Sequence, residues 1–206
     1  MSARLHAWFH RRIALGATLL GRRETALAHW RAARRWRPAD PGPPAAIAHL
    51  LASAGRRDEA IAALQASLAL DAGQAAGWFN LGFLQQAQGE HAAALASFDR
   101  ALALDPGLDR AWYGKALSLI GLGRVPEAIP ALRRNTELQP MSPYGWYQLA
   151  HAHVRAGEPE KARRVIQRLA GFEPQVARQL ERETGLQPAR RGAEALGGGL
   201  DRSPTP

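Results

Sequence analysis

The sequence repeats itself every 34 residues. Trp78, Trp112 and Trp146 stand at that interval, as do Gly21, Gly55, Gly89, Gly123 and Gly157. The same spacing links Ala26, Ala60, Ala94, Ala128 and Ala162. It also links Pro38, Pro106, Pro140 and Pro174, with Ala72 where one proline is missing. Five blocks result without insertion: 7–40, 41–74, 75–108, 109–142 and 143–176. Self-similarity at such a period marks an array in which each block is one supersecondary unit. A unit of that size buries its apolar face only by stacking on its neighbours.

Each block reads as two helices. In the third, Trp78, Leu81, Leu84 and Ala87 recur at helical spacing within 75–88. Gly89 breaks the pattern, as suits a residue that tolerates positive φ after a helix. Ala94, Leu95, Phe98, Ala101 and Leu102 then form one stripe over 92–104. Asp105-Pro106 ends it, because a residue before proline disfavours the helical region. Composition agrees: 42 of the 206 residues are alanine, the strongest helix former, and β-branched residues are scarce. Small residues mark close helix crossings, at Ala14, Ala48, Gly82, Ala116 and Ala150 on the first helices and at the Ala26 series on the second. A larger side chain there would force the pair apart.

On these residues the sequence resembles the tetratricopeptide repeat family. Block three carries Trp78, Leu81-Gly82, Gly89, Ala94, Phe98, Ala101 and Pro106. Block four carries Trp112, Ala116, Gly123, Ala128, Leu132 and Pro140. Block five carries Trp146, Leu149-Ala150, Gly157, Ala162, Ile166 and Pro174. The first two blocks are more degenerate, with His10 and Pro44 in place of the tryptophan. Ile13-Ala14, Gly21, Ala26, Trp30, Ala33 and Pro38 still fit. The resemblance implies an all-α fold: an α-solenoid, coiled as a right-handed superhelix, of five helix-turn-helix units. A lead-in over 1–6 precedes the solenoid of 7–184. A short capping helix over 175–184, with Val176 and Leu180 on one face, covers the last unit. The Gly- and Pro-rich stretch 185–206 is expected to be a flexible tail.

The resemblance also implies where a partner would sit. In that family the first helix of each repeat lines the concave face. The positions offered there include Phe79, Asn80 and Phe83 in block three, and Arg110, Tyr113 and Leu117 in block four. Block five offers Tyr144, Tyr147, Gln148 and His151. Block two is bland, with Ala45, His49, Ala52 and Ser53. Block one offers Trp8, Arg11, Arg12, Leu15, Thr18 and Leu19. Aromatic anchors beside a few polar groups suit a binding groove. Some of these rings could equally pack against the adjoining repeat. Some relatives grip a terminal carboxylate with a spaced Lys, Asn and Arg set. Only Asn80 and Arg110 match it here, since Ala45, His49 and Gly114 stand at other clamp positions. The expected partner is therefore an apolar peptide or amphipathic helix of another protein. Trp78, Trp112 and Trp146 are expected in the core, as is Trp36, which stands where Leu70, Leu104 and Leu138 recur.

Other chemistry is scarce. There is no cysteine, which excludes disulfides, thiolate metal sites and cysteine nucleophiles. No nucleophile elbow, phosphate loop or HExxH motif occurs, so neither enzyme activity nor a cofactor is expected. His6 and His10 lie four apart on a helix but are too few for a metal site. Glu158 and Glu160 read as a solvated helix start. The net charge is +9, yet nine arginines against Glu24 and Asp40 place most of it in residues 1–40. A slightly acidic middle argues against nucleic acid as partner. Electrostatic binding of RNA, an anionic membrane or an acidic protein at the Arg-rich first block is an alternative, as is a structural subunit role in a larger bacterial assembly. Arg22, Arg23 and Glu24 interrupt any export-signal pattern over 1–21. A retained helix and a cytoplasmic protein are expected, with periplasmic or membrane-associated placement as alternatives.

Overall fold

The computed structural model describes residues 2–186. Of the expected tail, everything from residue 187 onward lies outside the described residues. Among the described residues the secondary structure is helical, with no strand. The chain divides into two compact units, one up to Pro140 and one from Met141.

The first unit holds four helix pairs. They are α1 (Ala3–Leu19) with α2 (Arg23–Trp36), α3 (Gly42–Ser53) with α4 (Arg57–Leu70), α5 (Ala75–Ala87) with α6 (His91–Leu104), and α7 (Asp109–Gly121) with α8 (Val125–Leu138). Since α1 begins at Ala3, most of the expected lead-in over 1–6 is helical. Each pair packs on the next through α2 and α3, α4 and α5, and α6 and α7.

The periodic glycines end the first helix of each pair. Gly21, Gly55, Gly89 and Gly123 have φ between +68° and +79°. At Gly89 the Glu90 N–H reaches back to the Gln85 carbonyl and the Gly89 N–H to that of Gln86, both at 2.9 Å. Two otherwise orphaned carbonyls are satisfied this way, and the chain reverses directly into α6. The turns between pairs use aspartate. Oδ1 of Asp40, Asp71 and Asp105 accepts the N–H of Gly42, Gly73 and Gly107 at 3.0, 3.0 and 2.9 Å.

The small residues lie where the helices cross. Ala14, Ala48, Ala116, Ala26, Ala60, Ala94 and Ala128 are all 0–1 % exposed. Around them Leu27, Trp30, Ile47, Leu51, Leu64 and Leu81 form one core cluster, and Phe98, Ala101, Leu102 and Ala111 another. Burying each large side chain contributes about 1.5–3 kcal/mol.

Two expectations about tryptophan change. Trp36 is 44 % exposed, as are its periodic counterparts Leu70 at 42 % and Leu104 at 47 %. That position closes the second helix beside an exposed turn, so it is not core. Trp78 and Trp112 are half-buried. Each packs on the core while its indole N–H donates to the turn before its helix, to the Ala72 and Pro106 carbonyls at 2.9 Å. A tryptophan with a polar handle needs such a partner, and the exposed turn supplies it.

The second unit comprises α9 (Pro143–Arg155), α10 (Pro159–Ala170) and α11 (Pro174–Thr184). Gly157 again ends the first helix, at φ +73°. Ala150, Ala162 and Leu169 are fully buried. α11 packs on both α9 and α10, burying Ala177 and Leu180. Val176, expected on that buried face beside Leu180, is only half-buried. Among the described residues no helix is long and apolar enough to cross a membrane.

Candidate functional site

In the first unit a hollow between α3 and α5 arises from a size mismatch. α3 presents Ala45, Ala48 and Ala52, so short side chains leave space that α5 does not fill. The resulting cavity is about 430 Å³. Phe83 stands at its wall, 57 % exposed, with Asn80 exposed beside it. His49, Ser53 and Arg57 supply the other polar groups of the lining. An apolar hollow with a few polar groups is suited to take one side chain of a bound polypeptide. Block two looks featureless in sequence, yet its alanines create this space. The run of small residues facing Phe83 was the available signal.

Between α5 and α7 the inner positions contact one another. The Phe79 ring lies 6.1 Å from that of Phe98 and 6.4 Å from that of Phe83. The Arg110 guanidinium sits 5.9 Å from the Phe79 ring. Phe79 is half-buried and packs on the core around Phe98 of its own repeat. Gln86 donates to the Gly114 carbonyl at 2.8 Å and to Ser118 Oγ at 2.7 Å, tying the helices together. Tyr113 and Leu117 are half-buried, whereas Arg110 is exposed. Gly114 stands where a clamp would need a polar side chain. A Cβ there would lie 2.4 Å from Phe98 Cζ, so the packing of α6 on α7 leaves no room for one.

In the second unit, Tyr144 is 71 % exposed and Gln148 half-buried. Tyr147 and His151 are engaged within the chain. The Tyr147 hydroxyl donates to Glu183 Oε2 at 2.6 Å, and His151 Nε2 meets the same oxygen at 3.0 Å. The two rings meet edge to face at 4.7 Å. Gln179 donates to Glu183 Oε1 at 2.7 Å. These donors, Tyr147 foremost, hold the Glu183 carboxyl below the usual carboxylate range. Accepting that bond, Glu183 pushes the Tyr147 phenol upward, with burial adding to the effect. α11 therefore caps α9 through a polar clasp as well as through Leu180.

Glu158 is more than a solvated helix start. It accepts from His153 Nδ1 at 2.7 Å and from Lys161 at 2.6 Å. His153 is 2 % exposed, and its buried ring needs that partner. Lys161 first, then His153, holds the Glu158 carboxyl low. His6 and His10 do not share a ligand position. His6 stacks on Trp36 with ring centroids 4.3 Å apart, and His10 Nδ1 pairs with His29 Nδ1 at 2.8 Å. Burial first, then the His29 ring, lowers the pKa of His10. Among the described residues no group of three or more His, Asp or Glu is placed to hold a metal ion.

A tetratricopeptide repeat family model matches residues 45–109, 84–143 and 113–177. No curated protein matches the sequence at a significant level. Among solved structures the chain is similar to MamA, with a TM-score of 0.77 at 19 % identity over 84 % of this chain and 94 % of that one. It is similar to MamA from residue 41 onward from Desulfovibrio magneticus RS-1, with a TM-score of 0.75 at 21 % identity over 82 % and 96 %. It is also similar to YrrB, described as a TPR protein with an unusual peptide-binding site. That TM-score is 0.76 at 17 % identity over 84 % and 90 %. At these identities the likeness is one of fold.

Proposed function

This chain belongs to the tetratricopeptide repeat family, and from that premise we propose that it is a non-catalytic scaffold that holds a segment of another protein. The segment lies on the face formed by α3 and α5 and sets one apolar side chain in the hollow between them. One observation carries this reading: the cavity of about 430 Å³ between the alanines of α3 and the exposed ring of Phe83. Phe83 is the anchor, and Asn80 offers an amide to the backbone of the segment. Arg110, exposed over Phe79, extends the polar rim, and Tyr113 and Leu117, half-buried on the same helix, add apolar surface. In the second unit Tyr144 and Gln148 remain for contact, while Tyr147 and His151 serve the clasp to Glu183.

A peptide library displayed on phage and selected on the full chain tests this reading. Enriched sequences should carry a large apolar residue and bind at least tenfold more weakly to Phe83→Ala, a loss typical of an anchor residue. Ala52→Leu, which fills the hollow from α3, should weaken them similarly while both variants keep the helical circular dichroism. Sequences that bind both variants as well as the natural chain would overturn the assignment.

A further inference from the structure

α1 is built inside out. It buries Ala7, Ala14 and Ala17, whereas its large apolar side chains other than the half-buried Ile13 face solvent. Leu5 is 45 % exposed, Trp8 58 %, Leu15 47 % and Leu19 87 %. With Arg12 they recur at intervals of three and four along four turns. Phe9 and Leu20 widen this face. At a rise of about 1.5 Å per residue the stripe from Leu5 to Leu19 runs roughly 21 Å. Exposed apolar surface this continuous marks an interaction site.

The charge around it narrows the choice of partner. α1 contains no carboxylate. The two acidic residues of the first block are already engaged, Asp40 with Arg11 at 2.7 Å and Glu24 with Arg56 at 3.7 Å. Among the described residues neither Arg4 nor Arg12 has a carboxylate partner. Arg12 lies in the middle of the stripe, its guanidinium 6.0 Å from the Trp8 ring. A second copy packed symmetrically on this face would set these arginines against their own counterparts. An apolar partner helix fitted over the stripe would bury the Arg12 charge without an acceptor. A lipid interface avoids both costs. Arginine extends its head to the phosphates while its stem lies along apolar surface, and tryptophan suits the headgroup level.

We propose that the exposed face of α1 is a docking surface for anionic phospholipid bilayers, with Trp8, Leu15 and Leu19 entering the interface and Arg4 and Arg12 meeting lipid phosphates. The site is separate from the α3 and α5 hollow and does not depend on it.

Flotation of the full chain with phosphatidylcholine vesicles, with and without one-half phosphatidylglycerol, tests this directly. Recovery with the anionic vesicles should exceed that with neutral ones at least tenfold and should fall as salt rises. Arg4→Gln with Arg12→Gln should lower partitioning about twenty-fivefold, since each arginine near an anionic surface contributes roughly fivefold. Leu15→Ser with Leu19→Ser should lower it about tenfold at unchanged circular dichroism, because both side chains are exposed in the free chain. Equal recovery with both vesicles, or none, would overturn the proposal. Full retention by the serine variant would also overturn it, assigning attraction to the other arginines of the first block. Self-association that the serine substitutions abolish, without flotation, would assign the face to a second copy and overturn it as well.

Discussion

The Phe98 ring fills the space that a side chain at Gly114 would need. Phe98 is fully buried in α6, and a Cβ built on Gly114 in α7 would come within 2.4 Å of its Cζ and 2.8 Å of its Cε atoms. The same ring meets a Cβ built on Gly82 at 2.9 Å. Two glycines from successive repeats thus make room for one phenylalanine, which links α5, α6 and α7.

Gly114→Ala should therefore destabilise the protein by about 1–3 kcal/mol, the range for overpacking a filled core. That loss outweighs the roughly 1 kcal/mol by which alanine is the better helix former. Urea denaturation followed by circular dichroism measures it. Adding Phe98→Leu should recover part of the loss, so that the two changes couple rather than add. An unchanged midpoint in Gly114→Ala would refute this account of the contact.

Gly89→Ala isolates the other role of glycine. A Cβ there meets nothing within 4 Å, but φ is +79°. The cost is conformational alone, about 1–2 kcal/mol. Gly89→Asn should cost less, because asparagine visits the left-handed region more readily. Equal losses for the two variants in the same denaturation experiment would contradict the backbone explanation.

Trp112→Phe should remove the bond from the indole N–H to the Pro106 carbonyl while keeping much of the ring packing. The expected loss is about 1 kcal/mol. Hydrogen exchange should rise locally in the 105–110 turn and at the start of α7. A change spread evenly over the unit would instead point to a core role for this ring.

The clasp on α11 has a pH window. Glu183 is held below its ordinary value, chiefly by Tyr147, so its contribution is present above the usual carboxylate range. It is lost as pH falls through the lowered value. Tyr147 is raised, chiefly by Glu183, so its contribution is present below the usual phenol range and lost as pH rises through the raised value. Hydrogen exchange of α11, corrected for intrinsic pH effects, should show least opening between these limits. Glu183→Gln should flatten the acid limb. An acid limb unchanged in that variant would exclude Glu183 as its source.

Repetition made most of the architecture readable before any coordinates. The glycines at the 34-residue interval mark the left-handed helix ends because almost only glycine fits there at no steric cost. The periodic alanines mark the helix crossings because backbones in contact leave room for nothing larger. The helix expected over 75–88 is α5, one residue shorter. These are local requirements, repeated in each block, so a single chain displays them several times over.

What the period could not convey was which surfaces meet. Trp36 shares its register with Leu70 and Leu104, which prove equally exposed, and with Leu138, which is half-buried, because burial depends on the neighbour present and not on position in a block. The α3 hollow needs alanines on one helix and Phe83 on another, a size difference that neither block reveals alone. Tyr147 and His151 lose their availability to Glu183, more than thirty residues away in sequence. α1 turns Trp8 and its leucines outward because it offers Ala7, Ala14 and Ala17 to the core, where the large side chains Leu27 and Trp30 of α2 already fill the space. Periodicity encodes the backbone path of each hairpin. Exposure, cavities and long-range hydrogen bonds arise from packing between hairpins, where side-chain volumes from distant segments must share the same space.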